Sequence, residues 1–114
     1  MPLHNRTLKY LLDIESIILE LEKILNHHNY DYSDFSQQFI SVRAVERDLM
    51  IIGEAVGKIL KLDPEVTISS ARHIVGLRNL IVHAYDSIDP TALWRILIKD
   101  LPLLKVEIQE LIRN

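Results

Sequence analysis

Apolar positions recur along this chain at steps of three and four, the spacing that puts them on one side of an α-helix. Leu11, Ile14, Ile18, Leu21 and Leu25 make the first such seam and predict a helix from about Asn5 to His27. A polar break follows at Asn26-His27-His28-Asn29-Tyr30-Asp31. Ser33 or Asp34 then offers an N-cap, with Gln37 three residues after Asp34 as in a capping box, which predicts a short helix. Val45, Leu49, Ile52, Val56 and Ile59 mark a second long helix ending before Pro64. Ser69 or Ser70 is placed to cap a third, running to about His83 or Tyr85. Asp89-Pro90 reads as an N-cap followed by proline at the first helical position. The helix it opens carries Leu97, Leu101, Leu104, Ile108 and Leu111 and should bend at Pro102. Nothing alternates with period two for long. The fold class is all-α: an up-and-down bundle of four long helices, with a short helix between the first two.

The flank of the second long helix carries Glu46, Met50, Gly53 and Gly57. Glycine inside a helix costs about 1 kcal/mol relative to alanine. Two of them one turn apart imply a close approach by another helix, either within the chain or across a subunit interface.

At 114 residues the chain is one domain, residues 1–114. With 48% apolar and 25% charged residues it is of ordinary globular composition. It contains no cysteine, which removes disulfides, thiolate nucleophiles and cysteine zinc sites, and fits a cytoplasmic location. No apolar run reaches the ~20 residues that a membrane helix needs. The net charge of −3 excludes an indiscriminate polycation. Charge is unevenly distributed, however. No Asp or Glu occurs from Val66 to Tyr85, where Arg72, His73, Arg78 and His83 all lie.

Within that acid-free segment stands Arg78-Asn79-Leu80-Ile81-Val82-His83-Ala84-Tyr85. A helix rotates about 100° per residue, so Asn79 and His83 stack on one face and Arg78 and Tyr85 share a neighbouring one. Arg78 offers forked donors for a phosphate, His83 a proton-transfer group near neutral pH, and Asn79 a partner for either. These groups suit cleavage of RNA, whose 2′-hydroxyl is its own nucleophile, so neither a metal nor another cofactor is expected. Acid–base cleavage asks for two proton-transfer groups. Two copies of the third helix facing each other would supply both, which predicts a homodimer. Arg72, His73 and Arg47 are candidate RNA contacts, whereas Lys58 and Lys61 read as a solvated face. His4, His27 and His28 are expected at the surface. Tyr10, Tyr30, Tyr32 and Trp94 are expected to pack rather than stack on bases.

Arg78-Asn79-Leu80-Ile81-Val82-His83 resembles the Arg–polar–three residues–His signature of HEPN domains, and its extension to Tyr85 resembles the HepT toxin branch. Glu46 to Ala55, Gly76-Leu77, and Trp94 with Asp100-Leu101-Pro102 resemble further blocks of that family, in order and spacing. The resemblance implies a metal-independent endoribonuclease, the toxin of a toxin–antitoxin pair, with Arg78 and His83 carrying the cleavage. It further implies an MntA-like nucleotidyltransferase antitoxin that neutralises the toxin by adenylylating Tyr85. Two alternatives stay open. One is a non-catalytic HEPN module that binds a nucleotide or a partner; the other is a purely structural helical dimer.

Overall fold

The computed structural model describes residues 2–83 and 89–113, with Val82 and His83 described by backbone alone. It is all-α, with no strand among the described residues. Helix α1 spans Asn5–His27, α2 Tyr32–Ser36, α3 Phe39–Leu62, α4 Ala71–His83, α5 Pro90–Arg95 and α6 Leu101–Arg113. One π turn, Ile96–Asp100, joins α5 to α6 without a break. The four long rods of the sequence pattern are therefore α1, α3, α4 and the run from Pro90 to Arg113. The shape is a slab of 46 × 29 × 19 Å, about two helix layers thick.

Each long seam is buried as its spacing demands. Leu11, Ile14, Ile18 and Leu21 of α1 meet Val45, Leu49, Ile52 and Ile59 of α3, and Leu97, Leu104 and Ile108 close the core. Helix α3 lies centrally, packed on α1 on one side and α4 on the other, while α6 covers α1. The Glu22–Lys105 ion pair, 3.0 Å, ties α1 to α6 at their rim. Phe35 of the short helix is fully buried and stacks at 5.4 Å on Trp94, which also meets Tyr32 edge-on.

Several local details differ from the sequence pattern. The short helix is capped by Asp31, whose carboxylate accepts from the backbone N–H groups of Ser33 and Asp34, rather than by Ser33 or Asp34. The chain enters it through Asn29 and Tyr30, both left-handed at φ 54° and 55°, with the Tyr30 N–H bonded to Leu25 O. That conformation throws the Tyr30 ring half into solvent instead of into the core. His28 is buried, not exposed: its Nδ1 lies 2.6 Å from Asp34 Oδ2 and its Nε2 2.7 Å from Ser41 Oγ, which clamps α2 to the start of α3. Neither serine ahead of α4 caps it by its side chain. The Ser69 hydroxyl donates to Glu107 at 2.7 Å, and the Ser70 hydroxyl is buried without a partner among the described residues.

Pro102 has no N–H, and its ring would crowd the carbonyl four residues back. The backbone meets this by widening into the π turn just before it, with the Leu101 N–H bonded to Ile96 O. Asp89 caps α5 through the Thr91 N–H, as its pairing with Pro90 predicts, and that bond holds its carboxyl below the usual range.

Candidate active site

The close helix approach implied by the glycines is internal at one of them. A Cβ at Gly53 would fall 2.4 Å from Arg78 Cβ and 3.1 Å from the Ile74 carbonyl. Helix α4 therefore seats the stem of Arg78 directly on the α3 backbone. Gly57 is different: nothing stands within 4 Å of where its Cβ would be.

With its stem fixed there, Arg78 reaches out to the surface. Its Nη2 donates to Glu54 Oε1 at 3.1 Å and its Nη1 to Asn79 Oδ1 at 3.0 Å. Its Nε is buried with no acceptor among the described residues. The guanidinium is thus held by a carboxylate on one side and an amide on the other, and keeps a donor to spare. It borders an open groove of about 450 Å³ whose lining includes Gly53, Glu54, Gly57, Lys58, Lys61 and Asn79. Glu54 was not legible as a site residue, because no periodicity links a position on α3 to one on α4.

His83 closes α4 as its last residue, four beyond Asn79 and five beyond Arg78. The helix therefore persists far enough to hold Asn79 and His83 one turn apart. The His83 side chain and all of Tyr85 lie outside the described residues. The other candidate RNA contacts stand apart from the groove. His73 is exposed and turns towards Asp100, 3.6 Å away, beside the π turn. Arg72 is exposed near the start of α4, and Arg47 is exposed on α3 two turns before Glu54. Lys58 and Lys61, read from sequence as a solvated face, are exposed and line the groove with Arg78.

The His28 cluster shares residue types with serine hydrolases. Its imidazole is buried, with one nitrogen on the half-exposed Asp34 and the other on Ser41. It reads as a structural clamp. No helix of the described residues is long and apolar enough to cross a membrane.

A family model described as Ribonuclease HepT-like matches residues 8–111. The chain belongs to the HepT-like family, within the HEPN superfamily. A protein of Thermococcus cleftensis named "Probable ribonuclease HepT" is 32% identical over 108 residues, covering 90% of this chain and 92% of that protein. A Methanocaldococcus jannaschii protein named as a candidate RNase is 32% identical over 101 residues, 87% of each chain. Another, from Caldanaerobacter subterraneus, is 28% identical over 103 residues, covering 89% of this chain and 92% of the relative. No solved structure matches the chain. The match bears out the resemblance to the HepT-like family, as the structure bears out the all-α bundle, and the segment matched includes the whole of α4.

Proposed function

We propose that this HepT-like protein is an endoribonuclease, the toxin of a toxin–antitoxin pair, acting through Arg78 and His83 without a metal ion. The observation that carries the reading is the seat of Arg78. Its guanidinium is fixed by Gly53, Glu54 and Asn79 at the rim of an open groove, on the helix that ends at His83. Relatives of nearly equal length carrying ribonuclease names support the substrate class.

In this reading the scissile phosphate displaces Glu54 and takes the forked donors of Arg78, which hold the charge that grows on phosphorus oxygens in the transition state. One His83 takes the proton of the 2′-hydroxyl as that oxygen attacks phosphorus. The bond from phosphorus to the 5′ oxygen breaks, and a second His83, from another copy of the chain, gives that oxygen a proton. The products are a 2′,3′-cyclic phosphate and a 5′-hydroxyl. A homodimer with two α4 helices facing each other supplies both imidazoles. Adenylylation of Tyr85 by an MntA-like nucleotidyltransferase would place a phosphodiester and a nucleoside beside the motif, and so neutralise the toxin by charge and bulk.

The test is RNA cleavage by the unmodified protein in EDTA, beside folded His83→Ala. Cleavage by wild type alone, with growth inhibition lost in the variant, is expected. Full activity in His83→Ala would remove the proposal. Tight partner binding and adenylylation without any RNA cleavage would favour the non-catalytic module instead.

A further inference from the structure

The groove beside Arg78 does not end at Lys61. A second hollow of about 230 Å³ is lined by Arg6, Tyr10, Lys58, Lys61 and Leu62. Lys58 and Lys61 line both hollows, so one surface runs from Asn79 on α4, across the C-terminal half of α3, to the start of α1. Four cations border it: Arg78, Lys58, Lys61 and Arg6. The one carboxylate among its described lining residues, Glu54, is engaged with Arg78. Neither lysine has a carboxylate partner among the described residues. Lys58 Nζ instead stands 5.5 Å from the centre of the Tyr10 ring, held at the junction of the two hollows.

Gly57 points the same way. A helix-interior glycine is unfavourable, and a packing neighbour would be its usual reason. Among the described residues of the chain none stands there, and an added Cβ would meet open space. Gly57 lines the groove between Glu54, Lys58 and Lys61, and its missing side chain leaves the floor there low. From Glu54 to Lys61 the helix advances about 10 Å, longer than a single phosphate requires. An acidic protein of net charge −3 has thus gathered Lys58, Lys61 and Arg6, without ion-pair partners among the described residues, along a low channel leading away from Arg78.

We propose that this channel is a track for the RNA backbone next to the cleaved bond, with Lys58 and Lys61 on two successive flanking phosphates and Arg6 further along. The inference rests on the ribonuclease reading and deepens it. The contacts are to phosphate, so binding through them is strong at low salt, weak at high salt and indifferent to base identity.

The experiment measures binding of a short mixed-sequence 2′-O-methyl oligoribonucleotide, which lacks the free 2′-hydroxyl nucleophile, across a salt series. Lys58→Ala/Lys61→Ala should lose affinity several-fold, and its log–log salt slope should be shallower by about 1.4, from roughly 0.7 per single-strand phosphate contact. Lys58→Arg/Lys61→Arg should keep the wild-type slope. Gly57→Glu, which the open space tolerates, should weaken binding by putting a carboxylate in the channel. A control removing two distant charges, Lys23→Ala/Arg113→Ala, should change little. Equal slopes in wild type and Lys58→Ala/Lys61→Ala, or an equal loss in the control, would overturn the track while leaving cleavage at Arg78 intact. Binding that follows these expectations without cleavage of ordinary RNA would uphold the track and sink the nuclease. No binding by the wild type would overturn both.

Discussion

The two glycines of α3 have opposite tasks. At Gly53 even a methyl group collides with Arg78, and the opposing atoms are backbone and the rigid base of a side chain. Gly53→Ala should therefore push α4 outward, lower stability by about 1–3 kcal/mol and weaken cleavage with it. At Gly57 the space is open, so Gly57→Ala should raise stability by about 0.5–1 kcal/mol through helix propensity alone. Urea denaturation of the two variants tests this contrast, and equal effects would contradict it. In the proposed mechanism Glu54 has a different task, holding Arg78 in place until a phosphate displaces it. It is half-exposed, so the pair itself contributes little to stability. Glu54→Gln should leave the unfolding midpoint nearly unchanged yet tighten RNA binding, because Arg78 loses a competing anion. Looser binding in a fluorescence titration would show that Glu54 orients rather than competes.

At the level of elements, α3 carries an unusual acid on its face towards α1. Asp48 is buried, and one of its oxygens has no partner among the described residues. Burial, reinforced by the nearby Glu20 carboxylate, pushes its pKa up to about 7 from 3.8. Between those values the folded chain holds a proton that the unfolded chain has released. Stability should accordingly fall as pH climbs from 3.8 to about 7 and level off above. Asp48→Asn should remove this slope and stabilise the fold at pH 8, as thermal melts across pH would show; an unchanged slope would place its origin elsewhere. Helix α4 is secured at its start by Glu107 of α6, which accepts from both the Ser69 N–H and its hydroxyl. Glu107→Ala should cost about 1 kcal/mol and loosen the helix that carries Arg78 and His83.

How far these elements were legible depended on what fixes them. The span of α1 follows from its seam and the polar break behind it, both local, and Asn5–His27 is what forms. The stop–start at Asp89-Pro90 is equally local. Arg78 stands out as a candidate because an arginine in an oily segment is conspicuous. Its partners were not, since Glu54, Lys58 and Lys61 join it only when α3 and α4 pack. His28 looked like part of a polar linker; a clamp to Ser41, thirteen residues on, leaves no trace in spacing. The π turn was anticipated only as a bend at Pro102, because the pattern marks where a helix is strained but not how the backbone relieves it.

As a whole, the molecule is thin for its length. Its radius of gyration of 14.0 Å exceeds the roughly 13 Å of a compact chain this size. Phe39 and Ile40 at the head of α3 are 70% and 76% exposed. A homodimer is the assembly expected on chemical grounds, and sedimentation at micromolar concentration should give twice the monomer mass of 13.2 kDa. A monomer that nonetheless cleaves RNA would show that one imidazole suffices. In the proposed reaction RNA is cut beside Arg78 by its own 2′-hydroxyl. Mass spectrometry of fragments made in EDTA distinguishes this from other routes. Fragments ending in 2′,3′-cyclic phosphate and 5′-hydroxyl, absent with folded Arg78→Ala, are the predicted result. Fragments with 5′-phosphate ends, or undiminished cleavage by Arg78→Ala, would contradict it.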